Sequence, residues 1–272
     1  MTTTTPSLQD KNISPGSLRL LAREGKFTCN TSGCCPGYVQ ANLVILPREH
    51  AFDFMTFCVR NFKACPLLDV TDPGNPHPPA WLVKGGADLR TDLPNYRVWQ
   101  DGTLLHEVDD IRAFWRQDSV AFLLGCSFSF DEALLQAGLP VRHIQEGKNV
   151  SMYKTTIPCR PAGRFKGNMV VSMRPFHPQQ VSHVIQVTSR FKAVHGAPVH
   201  VGDPAAIGIA DLSRPDYGEA VLVAKGEVPV FFACGVTPQN AVLTSKPRGI
   251  VITHAPGAMF VTDVLNEALT LS

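Results

Sequence analysis

The sequence predicts an α/β protein, and three observations point that way. Apolar runs of four to seven residues, such as Gln40–Leu46, Ser119–Leu124, Met169–Met173 and Ile250–Thr253, stop at glycine, proline or small polar residues. Between them, apolar residues recur at helical spacing, as in Ala51, Phe54, Met55, Cys58, Val59 and Phe62, a stripe expected to pack in the core. Titratable and small polar residues gather where the apolar runs end, the place at which open α/β sheets bind ligands. Helices and runs alternate at both ends of the chain in a manner that reads as parallel strands.

Taken in order, residues 1–13 are polar and expected to fray. Ser14-Pro15 reads as an N-cap followed by proline at the first helical position, with the helix running to about Glu24 and stopping at Gly25. Residues 27–37 form a loop, Gln40–Leu46 a buried strand, and Pro47 opens the striped helix. Pro66, Pro73, Pro76, Pro78 and Pro79 make 66–80 an irregular crossing. Tyr96–Trp99 and Thr103–Leu105 flank Asp101-Gly102 as a hairpin. An amphipathic helix is expected over Val108–Arg116, a strand over Ser119–Leu124, and a helix from about Phe130 to Ala137, capped by Ser129 with Glu132 three residues on. Strands follow at Val141–Ile144, Val150–Tyr153 and Met169–Met173, then a helix at Gln179–Phe191. Brief strands are expected at Val199–Val201 and Ile207–Ile209, and longer ones at Val221–Ala224, Val228–Ala233 and Ile250–Thr253. Phe260-Val261 leads into a short C-terminal helix.

Composition excludes several classes. At 272 residues, 44% hydrophobic and 18% charged, the chain suits one large domain or two intimate ones. A formal charge of +2 with no basic stripe argues against nucleic acid, and no apolar run reaches the length that spans a bilayer. Met1–Pro6 has neither a basic nor an apolar leader segment, so a soluble cytoplasmic protein with reduced thiols is expected. Cys29, Cys34 and Cys35 lack zinc-site spacing, and no cofactor or metal is called for; a homo-oligomer stays open.

Potential chemistry is densest in His195–Gly218, which holds two histidines, three aspartates and four glycines. Gly196, Pro198, Gly202, Pro204 and Pro215 forbid a long helix there, so the polar residues sit on strand ends and turns. Turn-forming aspartates explain the same residues without a site. A second constellation is Gly125-Cys126-Ser127, where a strand meets a helix whose free N–H groups suit an anion. Arg174, before a proline at a strand end, suits a bidentate carboxylate clamp. Cys234-Gly235 repeats the step from an apolar strand to a thiol.

Six segments in order carry a family resemblance: Gly125–Glu132 (GCSFSFDE), Val171–Pro175 (VSMRP), His195–Pro204 (HGAPVHVGDP), Pro215–Gly218 (PDYG), Pro229–Gln239 (PVFFACGVTPQ) and Thr253–Gly257 (THAPG). Together they resemble the hydro-lyase family to which the first part of mitochondrial D-glutamate cyclase is similar, over the chain from about Ser14 onward. The resemblance implies a two-part architecture. A three-layer α/β sandwich core would come from 1–120 and 192–272, and a smaller two-layer α+β subdomain from 121–191. It also implies a water-eliminating enzyme acting on a small amino or hydroxy carboxylate, with D-glutamate closing to 5-oxo-D-proline as the model reaction. For such chemistry His195 or His200, oriented by Asp203, would serve as acid/base, with His254 in reserve and Cys234 as a nucleophile. Arg174, Gly125, Cys126, Ser127, Ser129 and Asp216 would bind substrate. Two other readings stand beside it: a metal-dependent hydrolase or lyase using His195, His200 and Asp203, with Asp211 or His254 added, and a non-catalytic binder of small carboxylates.

Overall fold

The computed structural model describes residues 13–270, so the expectation for the N-terminal tail falls, but for Ile13, outside the described residues. The elements are α1 (Pro15–Arg23), β1 (Tyr38–Pro47), α2 (Arg48–Arg60), β2 (Leu67–Val70), β3 (Tyr96–Gln100), β4 (Thr103–Val108), β5 (Ser119–Gly125), α3 (Phe128–Gln136) and α4 (Arg142–Gln145). They continue with β6 (Met152–Pro158), β7 (Asn168–Phe176), α5 (Pro178–Ser189), β8 (His200–Val201), β9 (Val228–Ala233), α6 (Val236–Ser245), β10 (Ile250–His254) and β11 (Phe260–Leu265). The mixed α/β class holds, but the strand direction does not: every strand pairing in both sheets is antiparallel.

The larger sheet runs β2-β5-β1-β10-β3-β4, with β11 also on β1. β5 pairs along β1 from Ala41 to Pro47. The opposite edge of β1 is shared between β11, up to Ala41, and β10, from Val44. β1 is buried along nearly its whole length because both faces are covered. α2 lies on one face with Phe54, Phe57 and Cys58, and the irregular stretch containing Leu82, Val83, Leu89, Leu93 and Ile111 covers the other. An unbroken apolar run usually marks a parallel strand between helices. Here a non-helical segment does the covering, which is why the run gave no warning of direction.

The smaller sheet runs β6-β7-β9-β8. Phe176, Val230 and Phe232 on one face pack with Phe130, Leu134 and Val184 of α3 and α5. Tyr153, Val171, Met173 and Phe231 on the other pack with Ile207, Ile209 and Val221.

Local chemistry accounts for the elements read well and those misread. Ser14 caps α1, its side chain accepting from Ser17 N, and Gly25 ends the turn at φ +65°. Asp101 and Gly102 both have positive φ, +51° and +83°, the mirror-image turn that suits a two-residue hairpin. The helix expected over 108–116 is absent. β4 runs through Val108, and Asp110 turns the chain by accepting from Arg112 N. Residues 141–144 hold the single turn α4 rather than a strand, too short for periodicity to decide. Residues 204–207 form a 3-10 turn, and 221–224 join no sheet: Val221 N, Leu222 N and Ala224 N donate to Ser151, Glu146 and Glu227 side chains instead. A short strand, β2, lies inside the proline-rich crossing, and the C-terminal stretch is β11 followed by one 3-10 turn. The α2 stripe also differs: Phe54 and Cys58 are buried, but Met55, Val59 and Phe62 face solvent with Phe52.

Gly218 has φ +72°, and a Cβ there would press on the carbonyl of Val150. Gly226 has φ +89° with nothing near a Cβ. Gly226→Ala is therefore expected to lose only the strain of the left-handed backbone, about 1 kcal/mol, and Gly218→Ala about 2–4 kcal/mol, compared by urea denaturation.

Candidate active site

Two strand-to-helix junctions meet at Asn42 in the middle of β1. β5 ends at Gly125 and α3 begins at Phe128; β9 ends at Ala233 and α6 begins at Val236. Asn42 Nδ2 donates to Gly125 O at 2.7 Å, and the same amide occupies the space that a Cβ on Gly235 would need. The two thiols carried by these junctions, Cys126 and Cys234, share one apolar cluster with Phe128, Val236, Met152 and Met259. Cys234 N and Thr237 Oγ1 both donate to Val170 O, and Thr237 Oγ1 accepts from Val170 N, so the first turn of α6 is pinned to β7. Neither helix has a side-chain cap. Part of the first-turn donor capacity goes to sulfur instead: Phe128 N donates to Cys126 Sγ at 3.5 Å, and the backbone N–H groups of Gly235 and Val236 face Cys234 Sγ.

Behind the thiols lies Arg174 of β7, with no exposed surface. Its Nε and Nη2 donate to the two oxygens of Asp131 at 2.7 and 3.0 Å, Nη1 to Ser172 Oγ at 3.0 Å, and Nη2 to Ser127 Oγ at 3.3 Å. Its guanidinium lies over the rings of Phe130 and Phe232, 5.1 and 5.3 Å from their centres. His143 Nε2 stands 3.3 Å from the second oxygen of Asp131. The bidentate edge of Arg174 is thus occupied by Asp131, so the expected clamp on a substrate carboxylate is already filled from within the protein.

Electrostatics divide the buried groups in two. Burial works against the Asp131 anion, but Arg174 and His143 outweigh it and hold the carboxyl below its ordinary range. Burial pushes both thiols up, Cys234 to about 11, although the backbone amides and Arg174 pull the other way. His195 and His254 are fully buried and pushed down to about 4, so both imidazoles are neutral at pH 7.

His195 belongs beside the Gly125 junction. A Cβ on Gly125 would lie 2.5 Å from Ala193 O and 2.7 Å from Val194 Cγ1, so the turn leading to His195 fills the room the glycine leaves. Its Nδ1 lies 2.9 Å from Lys63 O, and its backbone is held at φ +85°, rare for a residue with a side chain. Its Nε2 makes no bond of good geometry, although the backbone of Gly125 lies close enough to offset part of the desolvation.

The other expected residues are placed differently. His254 fills the gap where β10 and β11 part from β1: its Nδ1 lies 3.1 Å from Leu43 N and 3.2 Å from Leu43 O, and Gln239 covers the ring. It completes the sheet and is closed to solvent, so it is no spare acid/base. His200 Nε2 bonds Asp203 O on the outer edge of β9, away from His195, and Asp203 Oδ1 caps the turn at Ala205. His195, His200 and Asp203 therefore do not converge on a common ion. Asp211 accepts from Ser213, and Asp216 accepts from Lys154 N, both holding loop geometry. Ser129 does not cap α3, which begins earlier, and no capping box forms with Glu132; Ser129 Oγ accepts from Gln40 N. Turn chemistry explains the aspartates of 195–218.

Asn42, Asp131, His143 and Ser172 were not singled out from the sequence. An asparagine inside an apolar run is the signal that would have found Asn42, since buried polar side chains need fixed partners. A depression of about 220 Å³ lies on the outer side of α3, lined by Gln40, Phe128, Asp131, Glu132 and Asn266. Phe128 is common to this depression and the thiol cluster.

The family model described as D-glutamate cyclase matches residues 120–263, the span that contains both junctions and Arg174. Proteins carrying the name "Putative hydro-lyase" are similar over nearly the full length. One from Thermoanaerobacter sp. (strain X514) is 59% identical over 95% of this chain and 97% of its own. One from Stutzerimonas stutzeri is 57% identical over the same shares, and YcsI of Bacillus subtilis is 55% identical over 95% of this chain and all of its own. Among solved structures, a nitrogen repressor-like protein from Methanococcus jannaschii aligns over 91% of this chain and 97% of its own, at TM-score 0.38 and 10% identity.

The neutral histidines set an acid limit. An unfolded chain takes up protons on both residues near pH 6.5, while the folded protein refuses them down to about pH 4. The unfolded state then binds more protons throughout that window, so stability falls as pH falls. Two such groups give a slope approaching about 2.7 kcal/mol per pH unit around pH 5. Urea unfolding at half-unit steps from pH 7 to 4.5 is expected to show this fall; a level midpoint would contradict the burial of neutral rings.

Proposed function

The chain belongs to the D-glutamate cyclase family, and from that premise we propose that it is a hydro-lyase whose reacting groups are Cys126 and Cys234. The substrate is a small amino or hydroxy carboxylate, and the reaction that fits the family best is closure of D-glutamate to 5-oxo-D-proline and water. One observation carries this reading: two thiols at the starts of two uncapped helices are tied together through Asn42, in front of the Arg174–Asp131 pair.

Closure forms a bond from nitrogen to the side-chain carboxyl carbon and breaks one C–O bond of that carboxyl. The ammonium gives up two protons and the departing oxygen takes two: the first passes from the ammonium to the side-chain carboxylate, which frees the nitrogen lone pair for attack, and the protein relays the second. Both thiols are protonated at neutral pH because burial holds their pKa values up. A protonated thiol is a donor for the leaving oxygen. The thiolate left behind meets the backbone N–H groups of Gly235 and Val236 at Cys234, or of Phe128 at Cys126, with the Arg174 charge nearby. Those dipoles are fixed before reaction and cost no reorganisation. The same thiolate then accepts a proton from the attacking nitrogen. Arg174 acts through its field, since its bidentate edge belongs to Asp131. His195, neutral and held behind Gly125, keeps the junction in place.

Wild-type protein, Cys126→Ser and Cys234→Ser should be incubated with D-glutamate, L-glutamate and a set of hydroxy carboxylates, with and without chelator, and products followed by proton NMR. Wild type is expected to form 5-oxo-D-proline, and each serine variant to lose about 10²–10⁴-fold in kcat with its melting temperature little changed. Full activity in both serine variants would sink the thiol relay. Heat of binding without turnover of any substrate would favour a binding protein instead, and loss of turnover on chelation would favour metal chemistry.

A further inference from the structure

Two segments of the family resemblance, Pro215–Gly218 and Thr253–Gly257, have no role in the thiol relay, yet both lie by the thiol cluster. Tyr217 packs against the cluster that holds Cys126 and Cys234, and Met259, two residues past Gly257, is part of it. Tyr217 is held there by exchanging backbone bonds with Met152, at 3.0 and 3.1 Å. Its hydroxyl makes no hydrogen bond to a described residue. Asn149 ties the two loops together. Its N–H donates to Glu219 Oε2 at 3.0 Å, and its Nδ2 donates to Pro256 O at 3.2 Å. Its Oδ1 has no partner, although the residue is only 8% exposed. A buried oxygen of this kind calls for a donor.

The same side of the larger sheet carries a cation. Arg97 of β3 stands opposite Thr253 of β10, which stands opposite Val44 of β1. Paired residues share a face, as do residues two apart on one strand, so Arg97 is on the face of Asn42 and the Gly235 junction. Two strand spacings and two residues put its Cα about 12 Å from that of Asn42. Arg97 Nε donates to Glu107 at 3.0 Å, while Nη1 and Nη2 have no partner among the described residues. Burial and Asp216 raise the pKa of the Tyr217 hydroxyl, and the Arg97 charge works against them, so the two groups lie within each other's field.

We propose that Arg97 and Tyr217 form the end of the site that holds the substrate's unreactive carboxylate. The proposal rests on the hydro-lyase reading, in which closure consumes one carboxyl and leaves the other untouched. Arg174 cannot hold that group, because Asp131 fills its bidentate edge. Arg97 can: one N–H from each Nη matches the two oxygens of a carboxylate, and the phenol adds a third donor. In an α-amino acid the ammonium is one carbon from this carboxylate, and Asn149 Oδ1 is an acceptor on the same side of the cluster. Lys154 is the other cation nearby, its Nζ 5.6 Å from the centre of the Tyr217 ring, but it is more exposed than Arg97 and faces Asp216 at 3.8 Å.

Calorimetric titration of the full chain with glutarate and with butanoate tests this. Butanoate is glutarate without its second carboxylate. Neither has an amine, so neither can close, and binding is read whether or not the protein turns substrate over. Wild type is expected to bind glutarate about 10–100-fold more tightly than butanoate, the range that a charge-assisted pair supplies. Arg97→Met should bring the two affinities within about threefold, and Arg97→Lys, which keeps the charge without the fork, should fall between. Tyr217→Phe, which keeps the ring packing, should weaken glutarate about tenfold and leave butanoate unchanged. Equal affinities in the wild type, or a glutarate preference that survives Arg97→Met, overturns the proposal. So does a preference lost in Lys154→Met and kept in Arg97→Met. Failure of the thiol relay alone reads differently: the serine variants would keep full turnover while the glutarate preference still depended on Arg97.

Discussion

The buried ion pair between Arg174 and Asp131 is the constraint around which the centre of the molecule is arranged. A guanidinium with no exposed surface loses its hydration, a cost of several kcal/mol, and persists only if the protein replaces that hydration bond by bond. Asp131 takes two of the five N–H donors, Ser172 and Ser127 take two more, and the faces of Phe130 and Phe232 cover the plane of the group. These partners come from β7, β9, α3 and the approach to α3. With His143 of α4 on the far oxygen of Asp131, the pair fixes the angle at which α3 leaves the sheet. That angle decides where Cys126 points and where the free amides of the helix start are aimed.

The groups around the pair respond to burial in the opposite sense. A charge with fixed partners stays charged, and titratable groups without one stay neutral. Asp131 is held as an anion, whereas both thiols are held protonated and the two histidines uncharged. The result is a dry region with one compensated ion pair and two protonated thiols beside it, His195 neutral behind the Gly125 junction and His254 set apart against β1. Such an environment suits the transfer of protons between substrate atoms better than it suits a permanently charged nucleophile.

Much of this was legible in the sequence, and the misreadings have physical causes. β1, β5, β7, β9, β10 and the hairpin were visible as apolar runs bounded by turn formers, and the thiol at the end of β5 and the one at the end of β9 were visible as breaks in those runs. Strand direction was not, because continuous burial comes equally from helices or from an irregular covering segment. The stretch 195–218 drew attention through its density of histidine and aspartate, yet Asp203, Asp211 and Asp216 use their oxygens on neighbouring backbone and side-chain donors. Residue type cannot distinguish an aspartate that holds a turn from one that holds a ligand. Arg174 was read as a clamp for a substrate carboxylate, and the carboxylate on its bidentate edge is the protein's own Asp131. The stripe on α2 shows the same limit: helical periodicity locates an apolar face without saying whether this chain covers it.

The outer face of α2 and the thiol cluster are joined by a short path through Lys63, one residue beyond Phe62. Lys63 Nζ donates to the carbonyls of His195 and Ala197 at 3.1 and 2.6 Å, and Lys63 O pairs with the His195 ring at 2.9 Å. The end of α2 is therefore latched twice to the turn that carries His195. That turn, through Ala193 and Val194, occupies the space Gly125 leaves empty. His195 is held there at φ +85°, a backbone state that costs about 1–2 kcal/mol for a residue with a side chain and survives only because the surroundings impose it. Burial lowers the pKa of Lys63, so its hold on those carbonyls is made in partial isolation from water and is stronger for it. A displacement of the helix end would thus reach the Gly125-Cys126 junction across one hydrogen-bonded step and one packing contact. The position of one proposed proton carrier is set by how firmly the end of α2 is fixed.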